Sequence, residues 1–254
     1  MISSRLWDIL VQSLPRLLIP FLTISLKLTV LTFIVGTLFA AVIAIVQIAE
    51  VPVLKQLARI YIWIFRSTPL LLQLWIIFYG LPTLGIKMGG FTAAVIAYSM
   101  NEAAYNSEII RSSILSVPQG QIEAGYMVGM NYFQIMMKVV LPQAARIAFP
   151  PMFNSLIALV KDTSLASTVT VIEMMAVARQ IAARYYEPFA LYCETGLIYL
   201  IVCTLLTRLQ SYLEGKLVWK SSDKLPSVEI ESLKAQREKK TMRHRVNGDH
   251  ADWE

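Results

Sequence analysis

Residues 123–142 read EAGYMVGMNYFQIMMKVVLP, a polar interruption in an otherwise strongly apolar chain. The stretch opens with Glu123, carries a glycine at Gly129 and closes with Pro142. Charged and amide groups lose their hydration in lipid, so such a segment is poorly suited to a lipid-facing surface. It predicts a surface on which another protein docks. Taken alone, it fits equally well a hairpin whose residues only cap and close it.

The composition around this stretch is typical of a membrane protein. Of the 254 residues, 56% are hydrophobic and 16% are charged. Two uncharged runs, 28–49 and 67–86, are long enough for a helix to cross the hydrocarbon core. Three further spans contain or adjoin polar residues, at 91–110, 146–160 and 189–207. We therefore predict an all-α integral membrane protein with five transmembrane helices.

The two ends of the chain carry weaker signals. Residues 1–20 predict a surface helix or tail, because no basic-then-apolar arrangement precedes a small-residue cleavage site. Residues 221–254 hold seven basic and seven acidic side chains, so the net charge of +6 belongs to the rest of the chain. This polar C-terminal tail receives no predicted function. With the tail inside, nine basic residues near the spans lie on the cytoplasmic side and seven outside, which decides little by itself. The seven basic residues of the tail tip the count inward, and five spans then predict an N-terminus outside.

The polar stretch resembles the EAA loop of importer-type ABC transporter permeases. That pattern is Glu-Ala-Ala, three residues, Gly, nine residues, Ile, one residue, Leu-Pro. Here Gly125 stands in place of the second alanine, and Val139 in place of the isoleucine. We also predict a short amphipathic helix at 122–130, with Met127 and Met130 on an adaptable apolar face. Glu123 would lie near its start, where the helix dipole favours an acid.

Further blocks make the chain similar to the polar amino acid uptake subfamily over most of residues 20–215. In chain order they are Arg66-Ser67-Thr68-Pro69 with Gln73-Leu74; Ala104-Tyr105 with Glu108 and Arg111; Gly120-Gln121; Leu141-Pro142-Gln143-Ala144 with Arg146, Pro150 and Asn154; and Lys161-Asp162-Thr163-Ser164-Leu165. The resemblance implies a type I ABC importer transmembrane domain at 21–213, with a cytoplasmic coupling loop at 112–142. It implies that the ATPase-coupling residues are Glu123, Ala124, Gly125, Gly129, Leu141 and Pro142.

The source of energy must lie in another polypeptide. The only Gly-Lys pair, Gly215-Lys216, is followed by Leu217 and does not fit G-x-x-x-x-G-K-[ST]. We therefore predict no cofactor in this chain, with ATP and Mg bound by a partner. The resemblance implies a cytosolic ABC ATPase dimer, a second permease subunit of the same or a different sequence, and an extracellular or periplasmic substrate-binding protein. It places the chain in the bacterial plasma membrane, with no nucleic acid partner.

Polar side chains inside the spans are candidates for the substrate pathway, because each ionised one costs about 2.5–3.5 kcal/mol on insertion scales. The candidates are Arg66, Asn101, Glu102, Asn154, Lys161 and Asp162. Each also has a structural interpretation: Arg66 as an interfacial anchor, Asn154 as a helix–helix hydrogen bond, and Lys161 with Asp162 as an ion pair and cap. Glu102 would meet a cargo ammonium group or bond to a neighbouring helix. Glu108 and Arg111 are expected to pair.

The predicted function is import of a polar L-amino acid. Residues 180–217 are most similar to permeases for L-cystine and related sulfur amino acids. Import of another small polar solute stays open, as does an ion-coupled secondary transporter, although that class uses internal repeats that this sequence lacks. A catalytic or metal site is not predicted, because His244 and His250 both lie in the polar tail.

Overall fold

The computed structural model of this chain describes residues 4–49 and 51–217, and every regular element in these ranges is helical. The α-helices are α1 Ser4–Pro20, α2 Leu26–Ile48, α3 Pro52–Ser67, α4 Leu70–Trp75, α5 Gly90–Leu115, α6 Gln119–Met127, α7 Tyr132–Ile135, α8 Leu141–Asp162, α9 Met174–Tyr185 and α10 Pro188–Leu217. Between them are π-helical turns at Phe21–Ser25, Ile76–Gly80 and Met136–Val140, and 3-10 segments at Leu81–Leu84 and Thr163–Thr168. The predicted tail at 221–254 lies outside the described residues.

The predicted all-α membrane fold is confirmed. By length and composition, two helical stretches of the described chain suit a membrane span, Arg5–Ile48 and Pro188–Lys216. A third is formed if Pro52–Ser67 and Leu70–Leu84 are counted as one bent span. The helices α5 and α8 contain the third and fourth predicted spans but are more polar than these. The count of five spans stays a prediction.

The N-terminal segment is a helix that packs one face on the rest of the bundle. Helix α1 continues through a π-helical turn into α2, so the predicted boundary at residue 20 falls inside one long helical stretch. Ile9, Leu17 and Phe21 are buried in a cluster with side chains of α9 and α10. Most residues of α1 are exposed, which is in keeping with a surface helix, and its buried face has a helical partner from far along the chain.

Small side chains bring α2 and α5 together. Thr32, Gly36, Ala40 and Ala44 are buried on α2 at intervals of four residues, which places them on one helix face. A Cβ atom on Gly36 would lie 2.7 Å from the Cβ of Glu102 on α5. Small residues are typical of helix interfaces in membranes, where close backbone approach provides much of the packing energy.

A bend of 106° separates α3 from the segment Leu70–Leu84, at the start of the second predicted span. Pro69 disfavours helical geometry at the residue before it, and Thr68 is extended, with ψ 146°. The break removes helical donors from the carbonyls of Phe65 and Thr68. The side-chain amide of Gln73 donates to both, at 2.9 and 3.1 Å. The helical part of the uncharged run 67–86 therefore begins at Leu70, after the proline.

The first residue of α5 packs against the segment that follows α8. A Cβ atom on Gly90 would lie 1.7 Å from the carbonyl oxygen of Val169, so this contact admits only glycine. The neighbouring Thr170 has a left-handed backbone, with φ 64°. This contact holds the start of α5 at one end of the bundle. The C-terminal end of α5 leads into α6.

Candidate coupling surface and polar groups of the membrane helices

Helix α6 lies within the polar stretch and ends in a glycine cap. Gly129 has a left-handed backbone, with φ 80°. Its amide donates to the carbonyl of Tyr126 at 3.0 Å, and the amide of Met130 donates to Gly125 at 3.0 Å. This pair of hydrogen bonds is the Schellman motif, which favours glycine at the left-handed position. The glycine of the EAA pattern thus has a structural role in this chain, that of ending α6.

The inner side of α6 is held by a small apolar cluster. Gly125 is the buried residue of the helix, and a Cβ atom there would lie 2.8 Å from Cγ1 of Ile135 on α7. Ile135 is itself buried with Val117, Val140 and Ala144. Gly125, in place of the family alanine, therefore fits its surroundings, because the Ile135 side chain fills the space that an alanine methyl group would take.

The outer side of α6 and the start of α7 form an exposed apolar patch, which we call the coupling surface. Its members and their exposed fractions are Tyr126 52%, Met127 87%, Val128 76%, Tyr132 61% and Phe133 71%. Glu123 and Ala124 are exposed beside it. Met127 has the exposed position that was predicted, whereas Met130 packs against the inner cluster. Glu123 is the fifth residue of α6 and not in its first turn, so the dipole argument for it was wrong.

The end of the polar stretch connects the coupling surface to α8. Helix α7 begins with a capping box between Asn131 and Gln134. It passes through the π-helical turn Met136–Val140 directly into α8. Pro142 lies in the first turn of α8, as predicted, immediately after that turn. Proline removes a helical donor, and a widened turn is one way to re-pair the backbone around it. Leu141 and Pro142 therefore lie inside one helical path and not at a free helix start.

Asn101 belongs to the network at the bend between α3 and α4. Its side-chain amide donates to Oε1 of Gln73 at 3.0 Å and to the carbonyl of Phe65 at 3.3 Å. Because Gln73 bonds to the same broken backbone, the two amides together satisfy the end of α3. Arg66 lies in the last turn of α3, with its guanidinium 5.3 Å from the ring centre of Tyr105. Both residues hold α3 against α5.

Glu102 is buried between α5 and α8. Its carboxylate accepts hydrogen bonds from Oγ of Ser155 at 2.7 Å and from Nδ2 of Asn106 at 3.1 Å. Ser155 lies on α8, so this is the interhelical bond that was one of the two interpretations of Glu102. The amide oxygen of Asn106, Oδ1, is buried without a hydrogen-bond partner among the described residues. The site thus has one strong bond between helices and one buried acceptor left unsatisfied.

The remaining candidates of the predicted pathway lie on the outer face or the far end of α8. Asn154 is exposed and makes no interhelical hydrogen bond with a described residue, because its neighbour Ser155 occupies the inward position. Lys161 is exposed and Asp162 half-buried, and their charges interact without a salt-bridge contact within 4.0 Å. By contrast, the predicted pair of Glu108 and Arg111 is confirmed, at 2.9 Å.

Ser13 and Glu173, which the sequence did not single out, carry interactions of the same kind. Ser13 on α1 donates to Glu194 on α10 at 2.5 Å. Glu173 caps α9 by accepting from the amides of Met175 and Ala176. A serine or glutamine in an apolar run is a weak signal, since its partner is set by the packing. Within 4–49 and 51–217, no cluster of His, Cys, Asp and Glu is arranged to hold a metal ion.

Comparison with known proteins gives the class of this chain. The family described as the binding-protein-dependent transport system inner membrane component matches residues 36–219. The chain belongs to this family and is a multi-pass protein of the bacterial plasma membrane, a transport component and not an enzyme.

The individual relatives are proteins of amino-acid transport systems. It is 43% identical to the L-cystine transport system permease protein TcyB of Bacillus subtilis, over 83% of this chain and 91% of the relative. It is 37% identical to the probable amino-acid ABC transporter permease protein PatM of Vibrio harveyi, over 83% and 96%. A crystal structure of an amino acid ABC transporter with histidines matches with a TM-score of 0.75 and 32% identity, over 81% and 97%. The MetNI methionine ABC transporter matches at 20% identity and a TM-score of 0.64, which supports the fold alone.

Substitution of Gly129 tests whether this residue caps the end of α6. We expect Gly129→Ala to weaken the cap, because a non-glycine residue in the left-handed region costs about 1–3 kcal/mol. Gly129→Asn should weaken it less, since asparagine tolerates this backbone. Hydrogen exchange of the amides at 125–130 in the purified chain measures the effect, with about tenfold faster exchange expected for the alanine variant.

Gly120→Ala is the matched control, because Gly120 lies in the same helix with open space around it and no left-handed backbone. Equal exchange rates for the Gly129 and Gly120 variants would contradict the cap.

Proposed function

We propose that this chain is the permease subunit of an ATP-driven importer for a polar L-amino acid, with L-cystine or a related sulfur amino acid as cargo. The observation that carries the transport role is the coupling surface, an exposed apolar patch on a short helix. The cargo rests on the relatives TcyB and TcyL, both named as L-cystine permeases, at 43% and 37% identity. Another small polar solute is the alternative cargo, and an ion-coupled secondary transporter the less favoured mechanism.

The proposed partner at the coupling surface is a cytosolic ABC ATPase dimer, which binds ATP and Mg. A contiguous exposed apolar patch is a mark of a protein interaction site, and a short apolar helix commonly enters a groove on its partner. Glu123 and Ala124 would contact the ATPase beside the patch. Gly125 and Gly129 would set the shape of α6. Leu141 and Pro142 would transmit a movement of α6 to α8.

Two further partners complete the proposed importer. A second permease subunit, either another copy of this chain or a paralogue, would form the pathway with it. An extracellular or periplasmic substrate-binding protein would deliver the cargo. The arrangement draws support from membership of the binding-protein-dependent transport family, whose description names such a binding protein.

The proposed topology has five spans with the N-terminus outside. The first span would lie at 28–49, within the helical stretch Arg5–Ile48, and the second at 67–86, which contains the segment Leu70–Leu84. The other three would lie in α5, α8 and α10. With the N-terminus outside, α6 falls between the third and fourth spans and lies in the cytosol, where an ATPase is found. A membrane-impermeant thiol reagent should label Arg5→Cys in intact cells when Cys193 and Cys203 are replaced by serine. Labelling only after the cells are opened would reverse the orientation.

The proposed substrate pathway follows the polar residues of α5 and α8. Asn154 and Lys161 are seven residues apart and exposed on α8, so they share a face that has no partner within the described chain. Glu102 and Asp162 would add negative charge that can meet a cargo ammonium group. Asn101 and Arg66 would act on the pathway by holding the bend between α3 and α4.

Loss of an apolar contact on the coupling surface should weaken ATPase binding. Single exposed anchors at an interface contribute about 1–3 kcal/mol, so Met127→Ser should lower the affinity of the reconstituted permease for its ATPase about tenfold or more. Cargo-stimulated ATP hydrolysis should fall with it. The matched control is Phe189→Ser, because Phe189 is 83% exposed but lies at the start of α10, beyond the far end of α8. An unchanged ATPase affinity for Met127→Ser would remove the docking role.

Uptake of labelled L-cystine by the assembled importer tests cargo and pathway together. Glu102→Gln keeps an acceptor for Ser155 but loses the charge, and a charged hydrogen bond contributes about 1.5–3 kcal/mol. We therefore expect cystine uptake to fall about tenfold or more, with membrane insertion unchanged. Ser155→Ala removes the interhelical bond and keeps the charge, so its uptake should fall less.

The two cystine measurements have separate outcomes. Unchanged kinetics for Glu102→Gln would take Glu102 out of the pathway without affecting the cargo. If the unmodified importer and its cognate binding protein ignore cystine but take another polar amino acid, the cargo proposal fails and the permease role stands.

A further inference from the structure

A cavity of about 900 Å³ lies between the end of α2, helix α3 and the last turns of α5. Its polar and charged lining residues are Gln47, Lys55, Arg59, Arg66, Glu108 and Arg111. A second cavity of about 450 Å³ continues along Pro52, Lys55, Gln56 and Arg59 at the start of α3. The transport role described above gives this region no ligand.

The charge of the cavity is strongly positive. Four cations line it against one acid, and that acid, Glu108, is already paired with Arg111 at 2.9 Å. Lys55, Arg59 and Arg66 recur at intervals of four and seven residues, which places them on one face of α3. Like charges gathered on one face repel each other unless an anion lies among them. The cavity therefore has the electrostatics of an anion site.

A buried amide adds to the polar lining of the cavity. Gln47 is 8% exposed, and its Nε2 atom makes no hydrogen bond within 3.5 Å among the described residues, although its side chain interacts with the carboxylate of Glu108. Because Glu108 is already paired with Arg111, an anion in the cavity would offer this donor a further acceptor. Gln47 is uncharged and lies on α2, so it reaches the cavity from a different helix than the charges on α3.

The surroundings of the cavity indicate that the anion belongs to a lipid. Apart from its basic face, α3 exposes large apolar side chains. Their exposed fractions are Val53 70%, Leu54 48%, Leu57 58%, Ile60 44%, Trp63 68% and Ile64 43%. An exposed apolar surface beside basic residues and a tryptophan is typical of the membrane interface. Basic pockets between membrane helices on the cytoplasmic side are places where phospholipid head groups bind.

We propose that this cavity binds the head-group phosphate of an anionic phospholipid. Lys55 and Arg59 would contact the phosphate from α3, Gln47 would donate to it from α2, and the acyl chains would lie along the apolar side chains of α3. The site is distinct from the coupling surface, and it meets the proposed cargo pathway only at Arg66, which lines the cavity and also holds the bend between α3 and α4. Its cytoplasmic location rests on the proposed function.

The test measures lipid binding to the full-length chain by native mass spectrometry, with phosphatidylglycerol and phosphatidylcholine as probes. We expect phosphatidylglycerol to bind at least tenfold more tightly. Lys55→Gln with Arg59→Gln should weaken its binding about 10- to 30-fold, since each basic residue near an anionic lipid contributes about fivefold in affinity. The double variant Lys138→Gln with Arg146→Gln makes the same charge change on exposed cations outside the cavity, and should alter binding less than twofold.

Two further arms keep the test decisive. Gln47→Met removes the amide donor without changing charge, and it should weaken phosphatidylglycerol binding several-fold even if the double variant does not fold. Inorganic phosphate should not displace the lipid at millimolar concentration. Displacement by phosphate would assign the site to a free anion and overturn the lipid.

Equal binding of the two lipids, or equal effects of the two double variants, would overturn the site itself. Because the measurement needs neither the ATPase nor cargo, a chain that binds phosphatidylglycerol but does not import cystine would sink the proposed function and leave this site standing.

Discussion

The close approach of α2 and α5 is the contact on which the rest of the structure depends. Gly36 lies so near Glu102 that a methyl group would collide with its Cβ, and the small residues on either side extend this contact along α2. Between helices in lipid, packing and hydrogen bonds replace the hydrophobic effect as the source of attraction. With α5 fixed in this way, its polar face is presented to α3 and α8, and its last turn is set to lead into α6.

Lipid also requires that every broken backbone group find a partner inside the protein. The bend at Pro69 leaves carbonyls that Gln73 and Asn101 satisfy, and the continuous path from α7 to α8 accommodates Pro142 with a π-helical turn. Much of the polarity that looks functional in the sequence is therefore used to satisfy helices that bend. The places where this pairing is incomplete are the informative ones, and one of them is the buried amide of Gln47, which makes no hydrogen bond within 3.5 Å and lies beside four cations.

The coupling surface and the polar core are joined by a single helical path. The inner cluster at Gly125 and Ile135 holds α6 against α7, and α7 continues into α8, which carries Ser155 to Glu102. Helix α8 has 22 residues, which corresponds to about 33 Å at 1.5 Å per residue. A displacement of α6 by a docked protein would act directly on α8 and on its bond to α5. Cargo binding near Glu102 would act on α6 through the same helix.

The sequence by itself determined the class of fold, the position of the polar loop and the residues of the EAA pattern, because apolar runs and motif spacing are properties of neighbouring residues. It also predicted the pair Glu108 and Arg111, which are one helical turn apart. Only the tertiary structure decided which of two adjacent residues, Asn154 or Ser155, faces α5, and that Met130 turns inward while Met127 stays exposed. It also decided that one face of α1, with Ile9 and Leu17, packs against α9 and α10. Those outcomes depend on partners distant in the chain, since a helix face is buried or exposed only when another helix lies against it.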